Sequence, residues 1–345
     1  MLVTDFYYDL PEAQIAQHPL DKRDMSKLMA VDVQNHVITD KCFREIIDFL
    51  EAGDVLVFND TKVIPARLLG RRETGAKIEV FLLKDTGQDV WEVLVKPGRK
   101  ALPGTKIFFA GDFYCEIMEK TDFGGRLAKF YYAGSFKENI NKYGAMPLPP
   151  YIHEKLQDKE RYQTVYAKHE GSVAAPTAGL HFTPELLQDL KNKGVQTCFV
   201  TLHVGIGTFR PVSVERIEEH KMHTESYTLA QEVVDIINCA KQQGKRVIAV
   251  GTTAIRTLES AASSGILVAG SGQTNIFIYP GYKFKVVDAI VTNFHLPQST
   301  LLMLVAAYMG KEFAIEAYRL AVQRDYRFFS FGDAMFLYNK NNGGN

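Results

Sequence analysis

HEGSVAAPTAGLHFT (residues 169–183), TLHVGIGTFRPV (201–212) and EEHKMHTE (218–225) make up the stretch of this chain around which its fold and function are best understood. The stretch sets histidines and a glutamate among glycine, alanine and threonine, and such small residues let a backbone approach a ligand closely. Packing alone rarely requires that mixture, so it predicts a functional site made from loops. The titratable candidates are His181, His203, His220, His223 and Glu225.

The first of these histidines lies beside the predicted start of a helix. Thr183 followed by Pro184 is typical of the first turn of a helix, which Gly194 would end. His181 therefore lies just before a helix N-terminus, a position that favours an anionic group.

Polar residues also follow predicted strands at several other points of the chain. In α/β proteins, ligand contacts are commonly placed just beyond the carboxyl ends of buried strands. The loops are therefore expected to converge at one edge of a sheet, although a turn or cap is the alternative role for Asp60. A further strand is predicted at 276–279. The residues that follow strands are Asp60, His203, Thr252, Thr253 and His295.

Length and composition limit the class of protein to which the chain can belong. The chain has 345 residues, 46% of them hydrophobic and 23% charged, which is typical of a globular protein of two domains. Its longest apolar run, 301–309, is about half of what a membrane span requires. No basic segment followed by an apolar one opens the chain, and the four cysteines lack C-x-x-C spacing. A cytoplasmic protein without a membrane partner is therefore expected.

The middle of the chain differs from its flanks. Residues 67–150 contain short β runs separated by glycine, aspartate and proline turns, and no helix is indicated before Phe136. Five or six strands at this spacing predict a small closed barrel. The flanks alternate strands and helices. The predicted fold is therefore mixed α/β: a large discontinuous α/β domain of residues 1–66 and 151–345, with a small all-β, barrel-like domain inserted at 67–150.

Charge is concentrated in the same middle segment. Between Ala66 and Pro150 there are 14 Lys+Arg against 10 Asp+Glu, whereas the whole chain is neutral. Arg67, Arg71 and Arg72 can meet phosphates, although a solvated face is the alternative.

Arg161 and Tyr162 form a second candidate contact, because tyrosine can stack on a base while arginine binds phosphate. Tyr162 and Tyr166 are also four residues apart on a possible helix, so core packing is the alternative.

A zinc-dependent hydrolase is the alternative function. His203, His220 and His223, with Glu225 nearby, make a conceivable first shell for zinc. Their spacing matches neither H-E-x-x-H nor a cysteine-based finger, so the sequence favours a site without metal.

Longer motifs carry a family resemblance. They run in order along nearly the whole chain, and together they resemble the S-adenosylmethionine:tRNA ribosyltransferase-isomerase family of queuosine biosynthesis. The motifs are QHPLDKRD (17–24), NDTKVIPARL (59–68), MPLPPYI (146–152), ERYQTVYA (160–167), GSVAAPTAGLHFT (171–183), TLHVGIGTFRPV (201–212), HKMHTE (220–225), AVGTTAIRTLES (249–260), TNFHLPQSTLLMLV (292–305) and YRFFSFGDAM (326–335).

The resemblance implies a ribosyl transfer. Such enzymes move the ribosyl part of S-adenosylmethionine onto 7-aminomethyl-7-deazaguanine at the tRNA wobble position, giving epoxyqueuosine and releasing adenine and methionine. S-adenosylmethionine is then a consumed co-substrate, tRNA is the partner, and no metal or obligate protein partner is expected. The resemblance also implies an inserted β-barrel. A monomer is expected.

The family's proposed route defines the roles that the site must supply, and we assign the candidates to them as a hypothesis. A base removes a proton from the 5′ carbon beside the sulfonium, adenine leaves, and the amine of the modified base attacks. Proton transfer is assigned to His181, His203 or His223, with Glu225 orienting or accepting. Asp60, Arg67, His220 and His295 are second choices. The predicted S-adenosylmethionine contacts are Thr177, Phe182, Phe209, Arg210, Thr252, Thr253, Arg256 and His295, and the predicted tRNA contacts are Arg67, Arg71, Arg72, Arg161 and Tyr162.

Overall fold

The structure is a computed structural model that describes residues 1–121, 124–154, 156, 158–205 and 212–340. The chain forms two compact units, a large one of Met1–Thr61, Pro149–His169 and Ala175–Asn345 and a small one of Lys62–Leu148 and Glu170–Ala174. The predicted domain boundaries, after residues 66 and 150, stay a prediction.

The described residues contain these strands and α-helices, in chain order: β1 (Lys27–Asp32), β2 (Val37–Cys42), β3 (Val55–Asn59), β4 (Thr61–Val63), β5 (Arg67–Arg71), β6 (Lys77–Gly87), β7 (Val90–Lys96), β8 (Lys106–Ala110), β9 (Phe113–Lys120), β10 (Arg126–Tyr131), α1 (Phe136–Tyr143), β11 (Gly144–Ala145), β12 (His169–Ser172), α2 (Pro184–Asn192), β13 (Gln196–Leu202), β14 (Glu225–Leu229), α3 (Gln231–Gln242), β15 (Val247–Val250), α4 (Thr252–Ala261), β16 (Gly270–Thr274), β17 (Ala289–Asn293), α5 (Thr300–Met309), α6 (Lys311–Gln323) and β18 (Ala334–Tyr338).

A mixed sheet organises the large unit. Its strand order is β16-β14-β13-β3-β15-β17-β18-β1-β2. The neighbours β13, β3, β15 and β17 run parallel. Strand β14 runs antiparallel to β13 and β16, and β18 runs antiparallel to β17 but parallel to β1. Every residue of β3, β15 and β17 is buried, as expected for parallel strands that are covered on both faces.

Two apolar clusters cover the faces of this sheet. Val55 and Val57 of β3 face a cluster that includes residues of α3, α4, α5 and α6. Leu56 and Phe58 face the opposite cluster, which includes residues of α2. Side chains alternate along a strand, so one continuous apolar run supplies both cores. No helix in the part of the chain that the structure describes is long and apolar enough to cross a bilayer.

The small unit is built on an antiparallel barrel. Its strands follow the order β5-β6-β7-β10-β9-β8, and pairing of Arg71 with Phe108 joins β5 to β8 and closes the barrel of six strands. Gly70 permits this closure, because a Cβ atom there would lie 2.7 Å from a side-chain carbon of Ile107. The predicted fold class, mixed α/β with an inserted barrel, is confirmed.

One strand prediction is wrong. Residues 276–279 are apolar but form no strand, and the neighbouring strand is β16, whose sequence is GSGQT. The low β-propensity of these residues hid the strand, which exists because its backbone pairs with β14 along five residues.

Candidate active site

The carboxyl ends of the four parallel strands lie along one edge of the sheet. His203 follows β13, Thr61 follows β3, and Asn293 ends β17. Between them, Gly251 joins β15 to α4 with φ of +86°, a value that glycine adopts without strain. The parallel register therefore gathers polar groups from distant parts of the chain at one edge.

Asn59 joins the first two of these strand ends. Its side-chain amide donates to the carbonyl of Leu202 at 3.0 Å, and its oxygen accepts from Leu202 N at 3.0 Å and Thr61 N at 3.2 Å. Asn59 is fully buried, so breaking these bonds would leave polar groups without partners. The amide thereby fixes the positions from which Thr61 and His203 extend.

His203 is held at this edge in a half-buried position. Its Nδ1 lies 2.8 Å from Thr61 Oγ1, and its backbone N–H donates to Ser226 at 3.1 Å. Burial lowers the pKa of His203, and the nearby His169 lowers it further, whereas Asp60 opposes the shift. The imidazole is therefore neutral at neutral pH and can accept a proton.

Glu225 and Arg256 form a buried ion pair near His203. Glu225 Oε1 accepts a hydrogen bond from Gly205 N at 3.0 Å, while Oε2 accepts from Arg256 Nη1. The side chains of Arg256 and Glu225 are only 7% and 4% exposed. Arg256 Nε and Nη2 and Thr253 Oγ1 are buried and have no hydrogen-bond partner among the described residues. These donors are available to an anionic ligand.

Helix α4, which carries Arg256, is fixed by Glu259 one turn further on. Glu259 Oε2 accepts from Tyr282 OH and Lys285 N at 2.9 Å, and Oε1 accepts from Val286 N at 3.0 Å and Val287 N at 3.1 Å. The carboxylate is fully buried. Its bonds therefore tie the helix to the segment that precedes β17.

His181 lies at the other end of the same edge. It ends a 3-10 helix, Thr177–His181, that directly precedes α2. Its Nδ1 lies 2.7 Å from Ser26 Oγ, and the Asn293 amide donates to its Nε2 at 3.2 Å. Burial lowers its pKa to about 3 and the charge of Arg327 lowers it further, whereas a hydrogen bond with the Arg23 backbone opposes the shift. His181 is therefore a neutral imidazole held by hydrogen bonds, and a weak base.

The two histidines belong to separate groups. Strands β3 and β15 lie between β13 and β17, so three strand spacings, about 14 Å, separate the two ends of the site. A pocket lined by His181 does not include His203, Glu225 or Arg256. The structure brings the predicted residues to one edge but, within the described residues, not into one cavity.

Two predicted ligand contacts, Phe182 and His295, are buried. Phe182 is fully buried, and its ring packs edge-on against Phe43 and Phe58, with centroids 5.0 and 4.9 Å away. Its side chain belongs to the apolar cluster on one face of the sheet. His295 is also buried, with Nε2 2.8 Å from Thr292 Oγ1. Burial lowers its pKa to about 3, and its hydrogen bond lies within the chain.

The residue predicted to stack on a base, Tyr162, is also buried. Tyr162 is fully buried at the end of a 3-10 helix, Lys159–Tyr162, with its ring edge-on to Phe331. Core packing, the alternative role, describes this ring. Arg161, beside it, is only partly buried, and its Nη2 donates to the carbonyl of Leu20.

The remaining candidates are dispersed. His220 packs edge-on against Phe277 and His223 is exposed. Thr177 is partly buried at the start of the 3-10 helix that His181 ends. Among the described residues, no group of three or more His, Cys, Asp or Glu could hold a metal ion, so the zinc hydrolase is not favoured. Phe209 and Arg210 lie outside the described residues.

Sequence reasoning missed several residues that hold the site. Ser26, Asn59, Thr61 and Asn293 bind or position the histidines, yet each is a small polar residue of a kind that occurs throughout the chain. Their only signal was their place in or near the motifs that carry the family resemblance. Arg327, which lies close enough to lower the pKa of His181, was missed in the same way.

With a polar edge on a mixed sheet and an antiparallel barrel, the chain has the architecture of a two-unit α/β enzyme. A family model described as "Queuosine biosynthesis protein" matches residues 3–337. The chain belongs to this family.

Its relatives agree in length as well as sequence. The chain is 57% identical over 340 residues to the S-adenosylmethionine:tRNA ribosyltransferase-isomerase of Acetivibrio thermocellus, covering 98% of this chain and 100% of the relative. It is 56% identical over 337 residues to the enzyme of that name from Caldanaerobacter subterraneus, covering 97% and 99%. A crystal structure of S-adenosylmethionine tRNA ribosyltransferase from Thermotoga maritima is 42% identical, has a TM-score of 0.57 and covers 96% of this chain and 99% of that one.

The ion pair between Glu225 and Arg256 yields a stability prediction. Removing one partner leaves a buried charge unpaired, so Glu225→Ala and Arg256→Ala should each lower the free energy of unfolding by about 3–5 kcal/mol. The double variant should lose less than the sum of the two, because both charges are then absent. Urea denaturation of the four proteins measures this coupling, and additive losses would contradict it.

Proposed function

We infer that this chain is an S-adenosylmethionine:tRNA ribosyltransferase-isomerase of queuosine biosynthesis. The observation that carries the inference is the 57% identity to an enzyme of that name over 98% of the chain. The family match over residues 3–337 supports it independently. S-adenosylmethionine is the ribosyl donor and tRNA the acceptor.

The acceptor base and the products form the finer part of the proposal. The ribosyl group is transferred to 7-aminomethyl-7-deazaguanine at the wobble position, and epoxyqueuosine, adenine and methionine result. This chemistry requires a base near the 5′ carbon of the ribose and donors that hold the methionine carboxylate. The reaction needs no metal in this proposal.

His203 is the base in this proposal. It is half-buried at the strand edge, neutral at neutral pH and oriented by Thr61. His181 is a weaker choice, because burial lowers its pKa to about 3. His223 is exposed, and no described contact orients it. Glu225 orients Arg256. The Nε and Nη2 donors of Arg256, which have no partner within the described ranges, receive the carboxylate together with Thr253 Oγ1.

The outer face of the barrel meets the tRNA backbone in this proposal. Arg71 lies opposite Lys77, and Glu79 lies opposite Lys96, so their side chains share one face. A groove of about 430 Å³ lies among these residues. Arg67 pairs with Glu79 at 2.6 Å, so Arg71, Lys77 and Lys96 remain to contact phosphates. Arg72 follows β5, next to this face.

The cell compartment is also a proposal. Cys42, Cys115, Cys198 and Cys239 are free thiols, which suits a reducing cytoplasm. We propose a cytoplasmic monomer without an obligate protein partner.

Adenine release tests the reaction. The protein is incubated with S-adenosylmethionine and a tRNA bearing the aminomethyl precursor, and the anticodon is analysed by mass. We expect adenine release and an added ribosyl mass, and neither with a tRNA that carries guanine at that position. Binding of the precursor tRNA without adenine release would refute the proposal.

Replacement of His203 tests the base. In His203→Gln, exchange of a labelled 5′ hydrogen and kcat should fall by about 10²–10⁴-fold, whereas His36→Asn, on the exposed turn between β1 and β2, should retain both. Burial places the pKa of His203 below its ordinary value of 6.5. The wild-type kcat/KM should therefore decline only below that pH, as the base becomes protonated. Wild-type exchange in His203→Gln would assign the base elsewhere.

Salt dependence tests the barrel face. If Lys77 and Lys96 each contact a phosphate, replacing both with Gln should raise the KM for tRNA and lower the slope of log KM against log salt by about 2. The KM for S-adenosylmethionine should not change. Lys120→Gln on β9, across the barrel from β6, is the matched control. An unchanged slope in the double variant would exclude this face.

A further inference from the structure

A small pocket opens over the His181 ring in the large unit, and three arginines from distant parts of the chain line it. Its principal polar lining is Arg23, Ser26, Arg161, His181, Arg327 and Ser330. The cavity volume is about 20 Å³, somewhat more than the ~10–15 Å³ that a single water molecule needs. It therefore suits a compact group rather than a whole nucleotide.

The arginines are oriented mainly by backbone carbonyls, which do not neutralise them. Arg23 Nη1 donates to the Gln163 carbonyl at 2.7 Å, and Nη2 donates to the Glu160 carbonyl at 2.9 Å. Arg161 Nη2 donates to the carbonyl of Leu20. Such bonds fix the direction of a guanidinium while its charge remains available to a ligand.

Carboxylates near the pocket balance little of this charge. Asp333 lies 3.8 Å from Arg327 Nη2 and also accepts hydrogen bonds from two backbone N–H groups. Asp158 and Glu160 act on Arg23 from exposed positions. No acidic side chain belongs to the pocket lining in the described chain. The lining itself therefore carries three positive charges beside a neutral imidazole.

Two further observations concern the charges of Arg161 and Arg23. Arg161 Nε is buried and has no hydrogen-bond partner among the described residues. Burial lowers the pKa of Arg23, and the neighbouring Arg161 lowers it further, because two like charges close together disfavour each other. Both are relieved by an anion that accepts from the guanidinium groups.

We propose that the pocket of Arg23, Arg161 and Arg327 is an oxyanion-binding site that receives a phosphate or carboxylate group of a substrate. Two substrate groups have this chemistry if the proposed function holds: a phosphodiester of the tRNA, or the carboxylate of S-adenosylmethionine if it binds here instead of at Arg256. His181, in the lining of the pocket, is then a positioning residue whose two ring nitrogens are held by Ser26 and Asn293.

Phosphate binding tests the pocket without relying on the reaction. Wild-type protein is heated with increasing sodium phosphate while sodium chloride is adjusted to keep ionic strength constant. The melting temperature should rise, on the order of 2 °C at ten times the Kd. Arg23→Gln and Arg327→Gln should lose this rise, and Arg327→Lys should retain part of it. The matched control is Arg324→Gln, because Arg324 pairs with Asp40 at 2.8 Å and does not line the pocket.

Steady-state kinetics identify the source of the group. A bidentate charged hydrogen bond corresponds to about a 10–100-fold change in binding. A rise of this size in the KM for tRNA, with a shallower salt dependence, assigns a phosphodiester. A rise in the KM for S-adenosylmethionine alone assigns the carboxylate.

Two results separate the failure of this proposal from that of the proposed function. Wild-type phosphate response and unchanged KM values in both Gln variants would overturn the oxyanion site while leaving the transferase intact. Absence of adenine release from wild-type protein would refute the transferase, and the phosphate titration would still decide whether the pocket binds an oxyanion.

Discussion

The side-chain amide of Asn59 links the carboxyl ends of β3 and β13. Regular pairing stops there, and the amide continues it by exchanging hydrogen bonds with both backbone groups of Leu202. These hydrogen bonds set the positions of Thr61 and His203. Gly205, two residues after His203, in turn donates to Glu225. A buried amide without these partners would be strongly unfavourable, so one pattern of hydrogen bonds both ends the strands and orients the site.

The site combines neutral bases with charged donors. Burial keeps both imidazoles neutral, while Arg256 and the arginines near His181 provide positive charge on either side. Such an arrangement suits a substrate that carries anionic groups at its periphery and loses a proton at its centre. In the proposed function, the two histidine groups act on different parts of one extended substrate, so the edge needs no single deep cavity.

The periodicity of apolar residues, together with the glycines and prolines that separate the periodic segments, was enough to predict much of the fold. The barrel strands alternate apolar and polar residues between glycine turns, and β3, β15 and β17 follow apolar runs. Strand β16 could not be predicted, because GSGQT has no intrinsic preference for a strand and forms one only beside β14. Histidines at strand ends indicated the edge of the site. The burial of individual side chains could not be predicted. Phe182, Tyr162 and His295 are residue types that contact ligands, and no local sequence pattern distinguishes a ring at the surface from a ring in the core.

Glu259 has a mechanical consequence for α4. Its two carboxylate oxygens accept hydrogen bonds from three successive backbone N–H groups and one phenol on the segment before β17. The helix therefore cannot rotate about its own axis without breaking all four hydrogen bonds. Arg256 lies one turn earlier on the same helix. The direction of its side chain is therefore set when the protein folds, and an incoming anion meets donors that need no reorientation.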